Sequence, residues 1–222
     1  MDAFAYIIDI FLHLDRHLAE IIRDYDGWTY LILFLIVFAE TGLVVTPFLP
    51  GDSLLFTAGV FAGLGDLNLA AAGLTLSAAA VLGDTVNYGV GKYLGNWLLN
   101  RPGTPWIKRK HIDRTHSFFE RYGGKTIVLA RFVPIVRTFA PFVAGIGAMT
   151  YVRFLAYNVV GGVLWVAVCV GGGYAFGGLP IVKNNFSLVV LGIVVVSIMP
   201  AVVEYVRHRR AGGAAPDLSR QP

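Results

Sequence analysis

Four ionisable residues stand where an apolar chain has little use for charge. Glu40 and Asp52 lie in the hydrophobic block 30–64, within Phe38-Ala-Glu40-Thr-Gly42 and Pro50-Gly51-Asp52, and Arg131 and Arg137 lie in the block 126–149, within Arg131-Phe132-Val133-Pro134-Ile-Val-Arg137-Thr138. A charge at bilayer depth costs at least about 2.5 to 3.5 kcal/mol, so each of the four needs a partner, water or a task. Arginine keeps its charge and presents a planar fork of donors that matches phosphate oxygens, so the pair suits gripping a phosphate between two segments. The two carboxylates suit proton exchange, because burial and a neighbouring arginine act on a carboxyl proton in opposite senses as solvent access changes. The static alternative is a set of ion pairs, Glu40 to Arg137 and Asp52 to Arg131 or the crossed pairing, that only pins the segments together.

Spacing bears on whether the arginines can act jointly. Six residues set Arg131 and Arg137 about 240° apart on a continuous helix, but Pro134 breaks that helix and lets them converge. Pro47, Pro50, Pro134 and Pro141 are read as breakers whose freed backbone groups either line a polar cavity or simply form turns. Asp84, Asn87 and Thr138 are secondary candidates for lining the same cavity. Asp84 and Asn87 sit one turn apart on a long apolar run, where interhelical hydrogen bonding explains them equally well.

The elements that must hold these residues are hydrophobic throughout. Of 222 residues, 56% are apolar and 14% charged, well below the quarter that soluble domains carry. This excludes a disordered chain and a nucleic-acid reader, and predicts an all-α, multi-pass inner-membrane protein. Runs 67–99, 154–178 and 186–206 are long enough to cross hydrocarbon. Blocks 30–64 and 126–149, with charges and prolines in their middles, are not tolerable as plain lipid-facing helices and read as broken, re-entrant hairpins. An offset of 86 residues lays Phe56, Ala58 and Gly59 on Phe142, Ala144 and Gly145, and Tyr88 and Gly91 on Tyr174 and Gly177. That pattern predicts an internal duplication, the usual scaffold of transporters.

Orientation follows from the basic residues. Arg101, Lys108, Arg109, Lys110, Arg114, Arg121 and Lys125 crowd one connection, and Arg207, Arg209 and Arg210 follow the last apolar run. Both regions are expected on the cytoplasmic side. Three full crossings between them would separate them, whereas one hairpin and two crossings reunite them, so 126–149 is expected to be a hairpin and 30–64 a second one entering from the opposite face. Before this membrane region, 27–206, residues 1–26 have an amphipathic spacing that predicts an interfacial helix, with Asp9, His13, Arg16 and Glu20 arguing against a cleaved leader. The basic tail 207–222 is expected to be disordered. Trp28, Tyr30, Trp97 and Trp106 are read as interfacial anchors, residues 104–120 as either an amphipathic cytoplasmic helix or a solvated linker, and the glycines of the long runs as close-packing faces.

Taken together, Glu40-Thr-Gly42, Pro50-Gly51-Asp52, Gly83-Asp84 with Tyr88, Gly91 and Gly95, and Arg131 through Thr138 continuing to Pro141 and Gly145 resemble the DedA family of bacterial membrane proteins, whose domain is of the VTT type. The resemblance extends over residues 28–205. It implies two facing re-entrant hairpins and a role in moving lipid carriers, notably undecaprenyl phosphate, across the inner membrane. The functional acids and arginines proposed for that family match Glu40, Asp52, Arg131 and Arg137 here.

Two transport functions therefore compete: proton-coupled translocation of a polyprenyl phosphate, and proton-coupled export of small solutes or ions through the same charges. A lipid phosphatase is not expected, since His111 and His116 lie in the basic connection and no histidine accompanies the intramembrane acids. No cofactor is expected, and the lone Cys169 permits neither an internal disulfide nor a cysteine-rich metal site. Small-residue faces permit a homo-oligomer.

Overall fold

The computed structural model describes residues 27–43, 51–100, 124–147, 149–176 and 179. The interfacial helix expected over 1–26, Pro47 and Pro50, the basic connection with Trp106, the apolar run 186–206 and the tail all lie outside these residues. What is described is helical, with no strand among the described residues. The helices are α1 (Trp28–Gly42), α2 (Gly51–Leu64), α3 (Leu69–Asn100), α4 (Lys125–Ala130), α5 (Pro134–Ile146) and α6 (Tyr151–Phe176).

Length separates them into two kinds. α3 and α6, of 32 and 26 residues, rise about 48 and 39 Å at 1.5 Å per residue, more than the roughly 30 Å of hydrocarbon. Both carry stretches apolar enough to cross a membrane. α1 and α2, of 15 and 14 residues, are too short, reaching only about 20 Å. Local chemistry fixes their ends. Gly65 turns the chain out of α2 with φ of +92°, a left-handed conformation that a side chain would strain. Asn68 then caps α3, its Oδ1 accepting from the Ala71 N–H at 3.0 Å. Its own N–H donates to the Tyr30 hydroxyl at 2.9 Å, so Tyr30 ties the start of α1 to the start of α3, while Trp28 and Trp97 face outward.

Packing runs in crossed pairs. α1 lies along α3 and α4 along α6, whereas α2 lies along α6 and α5 along α3. Glycines allow these contacts to be made by backbone. Gly59 abuts the Val170 carbonyl and Gly173 abuts the Phe56 carbonyl, while Gly145 abuts the Tyr88 carbonyl and Gly91 abuts the Phe142 carbonyl. The two sets are reciprocal: Phe56 and Gly59 in one correspond to Phe142 and Gly145 in the other. On the long helices, however, Tyr88 and Gly91 correspond to Val170 and Gly173. The correspondence of Gly91 with Gly177 is thus one helical turn out of step with the packing, because a shift of four residues preserves a helix face and the sequence alone cannot distinguish the two registers.

Two apolar clusters make up the buried core among the described residues. One is built on Leu33, Val37, Leu55, Leu76 and Val166, and the other on Ile127, Ala144 and Phe154 around Tyr88. Tyr88 stacks on Phe154 with ring centroids 4.5 Å apart, and its hydroxyl donates to the Met149 carbonyl. Buried beside these apolar residues are the polar residues Glu40, Asp84, Asn87, Arg131, Arg137, Thr138 and Asn158.

Candidate functional site

The site forms where broken helices meet long ones. Glu40 sits in the last turn of α1 and is 1% exposed. Its Oε1 accepts from the Gly51 N–H at 3.3 Å, so the carboxylate that ends one short helix meets the first amide of the next. A carboxylate is favoured there by the partial positive charge of a helix N-terminus. A Cβ at Gly51 would collide with this carboxylate, which gives position 51 a steric reason to be glycine. Asp52 follows in the first turn of α2.

Arg137 on α5 joins both acids. Its Nη1 donates to Asp52 Oδ1 at 2.5 Å and its Nη2 donates to Glu40 Oε1, so the fork spans two carboxylates instead of gripping one. Asp52 Oδ1 also accepts from the Trp165 indole N–H at 2.8 Å. Arg131 lies elsewhere in the chain's path: α4 ends at Ala130, Val133 is extended with φ −118° and ψ 106°, and Pro134 starts α5. This break places the two arginines on different elements, yet both reach Trp165, with guanidinium carbons 4.9 Å (Arg137) and 5.8 Å (Arg131) from its ring. Pro141, expected to break the chain, does not: α5 runs through it, and it only removes the N–H that would bond the Arg137 carbonyl.

Arg131 makes its own cluster. Its Nη2 donates to Asp84 on α3 and to Asn158 Oδ1 on α6 at 2.5 Å. Asn158 in turn donates to the Val81 carbonyl at 3.0 Å, so its amide orientation is fixed from both ends. The side chain of Arg131 lies across Gly161 and Gly162, where an added Cβ would stand 3.2 Å from its Cδ and 3.4 Å from its Nη2, respectively. Residues 158, 161, 162 and 165 share one face of α6 by helical spacing. That face is the bed of the Arg131 side chain.

Of the pairings open from sequence, Glu40 with Arg137 is made. Asp52 with Arg131 is not: Asp52 joins Glu40 on Arg137, and Arg131 takes Asp84, the nominal secondary residue. Asn87 also has a definite place. Its Nδ2 donates to the Thr41 carbonyl at 3.1 Å and the Thr138 carbonyl at 2.7 Å, the residues next to Glu40 and Arg137. It therefore holds α1 and α5 in the register that makes their ion pair, and Thr138 enters through its backbone. Sequence reasoning missed Asn158 and Trp165. The available signals were an amide in the middle of an apolar run, and a tryptophan far from either end of a membrane-length helix with an N–H to satisfy.

Three carboxylates face two guanidinium groups, leaving a formal charge of −1 when all are ionised. Glu40 Oε2 and the Nε atoms of Arg131 and Arg137 are buried without a hydrogen-bond partner among the described residues. Such atoms cost free energy unless something uses them. No group of three His, Cys, Asp or Glu suited to a metal ion occurs among the described residues.

Residues 49–175 match the VTT domain. The chain is 54% identical over 217 residues to Protein DedA of Escherichia coli strain K12, covering 97% of this chain and 99% of that one. It is 42% identical over 192 residues to Uncharacterized membrane protein Rv0364 of Mycobacterium tuberculosis strain H37Rv, covering 86% and 84%. To Inner membrane protein YqjA of Escherichia coli strain K12 it is 36% identical over 155 residues, or 70% of each chain. No solved structure matches it.

Proposed function

The chain belongs to the DedA family of VTT-domain membrane proteins, and on that premise we propose that it translocates a lipid phosphate carrier of the undecaprenyl phosphate type across the bacterial inner membrane, coupled to protons. The observation that carries this reading is a pair of buried guanidinium groups flanking one indole, each with an unused Nε–H. Buried, cationic, planar donors are what phosphate oxygens select. Beside them Phe132, Val136 and Phe139 are exposed, an apolar surface along which a polyprenyl chain can remain in lipid while its headgroup enters. No covalent chemistry is assigned to the site.

Proton coupling follows from charge. A phosphate monoester carries about −1.5 to −2 near neutral pH, and adding it to a buried cluster already at −1 is costly unless acids are neutralised first. Protonation of Glu40 or Asp52 frees Arg137 for the phosphate, and Glu40 Oε2, with no partner of its own, is a place for that proton. The reverse exchange on the other side releases the headgroup. Protons and lipid phosphate thus move in the same direction in this cycle. The crossed packing of α2 on α6 and α5 on α3 supports a duplicated architecture with two facing re-entrant hairpins, and the basic connection and tail support a cytoplasmic C-terminus.

The test is binding of undecaprenyl phosphate to the purified protein in detergent, wild type against Arg131→Lys. Lysine keeps the charge and loses the fork, so headgroup-dependent binding that weakens about tenfold or more supports the reading, a tenfold change being about 1.4 kcal/mol. Binding no stronger than to an unrelated membrane protein moves the assignment to a proton-coupled exporter of small solutes, with the arginines as ion-pair partners.

A further inference from the structure

Trp165 stands out from the other tryptophans by its place. Trp28 and Trp97 are exposed, as expected of side chains at a membrane interface, whereas Trp165 is 2% exposed and lies in the middle of α6. Its ring packs in the apolar cluster with Val166 and Val170, yet its edge and face are engaged by charge. The indole N–H donates to Asp52 Oδ1 at 2.8 Å, the same oxygen that Arg137 Nη1 holds at 2.5 Å. Its ring meets the guanidinium of Arg137 at 4.9 Å and that of Arg131 at 5.8 Å. Trp165 therefore touches an acid, the arginine bound to that acid, and the arginine of the neighbouring cluster.

We propose that Trp165 is a positioning residue that links the charge state of Asp52 to the grip of Arg131. The link rests on the lipid-phosphate reading for its purpose but not for its physics. With Asp52 ionised, Oδ1 anchors the indole edge, and the ring is held against both cations. When Asp52 takes up a proton, that oxygen becomes a weaker acceptor for the indole and for Arg137, and the ring loses its anchor. A cation–π contact depends on where the cation stands over the ring, so a turn of the indole alters its hold on Arg131 and the competition between Trp165, Asp84 and an incoming phosphate for that guanidinium. The charged groups in contact with the indole are Asp52 from α2, Arg137 from α5 and Arg131 between α4 and α5; behind them stand Glu40 from α1 on Arg137 and Asp84 from α3 on Arg131, and Cys169 lies one turn further along α6, packed against the same apolar cluster. Asp52 is the one of them that accepts the indole hydrogen bond, which sets it apart as the input.

A direct test needs no lipid. Replacing Trp28, Trp97 and Trp106 with phenylalanine in the full-length chain leaves Trp165 as the sole indole, and its emission is followed from acid to alkaline pH in detergent. The expected result is one transition in emission that Asp52→Asn removes; no transition, or one that persists in Asp52→Asn, overturns the link. The second measurement is undecaprenyl phosphate binding across the same pH range by wild type and Trp165→Phe, which keeps an aromatic face and loses the N–H. The wild-type affinity is expected to change with pH by up to about tenfold per unit, the limit for one linked proton, and the variant's profile to be shallower than the wild type's. A variant that binds less at every pH with the wild-type profile has lost packing only, and overturns the proposal. An Asp52-dependent emission transition in a protein that binds no lipid phosphate supports the link and overturns the lipid-phosphate reading, so the two fail separately.

Discussion

Replacing Arg137 with methionine removes a cation that two carboxylates share, and the structure sets the size of the loss. Glu40 has a side chain 1% exposed, while that of Asp52 is 19% exposed, so Glu40 bears most of the consequence. Without Arg137 it keeps the Gly51 N–H at 3.3 Å and still has no partner for Oε2. Asp52 keeps the indole N–H and its partial access to solvent. Removing one partner of a buried ion pair costs about 3 to 5 kcal/mol. For a chain of this size each kcal/mol is worth about 2 to 4 °C, so Arg137→Met is expected to melt about 6 to 20 °C below wild type. Melting is measured on detergent-purified protein at alkaline pH, where an acid cannot readily escape by taking up a proton, as the fraction that stays monodisperse. Arg137→Met with Glu40→Gln should recover most of the loss, because glutamine retains an acceptor for Gly51 and carries no charge. A single variant melting within about 2 °C of wild type, or a double variant no better than the single, refutes the shared-cation geometry.

Other consequences follow from neighbouring contacts. Asn87→Ala withdraws the donor from the Thr41 and Thr138 carbonyls, at about 1 to 3 kcal/mol for each group left unsatisfied; the expected readout is lower thermal stability with loss of lipid-phosphate binding, and unchanged binding would mean that α1 and α5 keep their register without it. Gly161→Leu fills the bed of Arg131, where even a Cβ would lie 3.2 Å from its Cδ and from Val128 Cα, and is expected to reduce lipid-phosphate binding about as far as Arg131→Lys while the protein still inserts into the membrane. Gly145→Ala sets a Cβ 2.7 Å from the Lys92 nitrogen, an overpacking of backbone on backbone expected to cost about 1 to 3 kcal/mol, read as a lower melting temperature; wild-type melting would contradict the close crossing of α5 and α3.

The sequence discloses what is costly. Glu40, Asp52, Arg131 and Arg137 are conspicuous because charge in an apolar run is expensive, and the breaks around them follow from proline and glycine. The lengths of α3 and α6 follow from hydropathy alone. Which arginine meets which acid does not, because pairing depends on the rotation and translation of helices against one another, and a one-turn shift leaves the same face presented. That ambiguity set Gly91 against Gly177 where packing matches it with Gly173, and it left Asp84 secondary although it is the partner of Arg131. Trp165 and Asn158 were hidden for another reason: in an apolar helix a tryptophan reads as hydrophobic mass and a single asparagine as a packing polar residue, until the atoms they bond are known.

The central claim is that the two arginines carry a lipid phosphate across the bilayer together with protons. Reconstituted proteoliposomes containing fluorescent undecaprenyl phosphate, with an imposed pH gradient and a membrane-impermeant quencher, measure it directly. Wild-type protein should move the lipid toward the alkaline side faster than protein-free liposomes, Arg131→Lys should lose most of that rate, and collapse of the gradient should remove the directionality. Equal rates with wild type, Arg131→Lys and no protein would contradict the account.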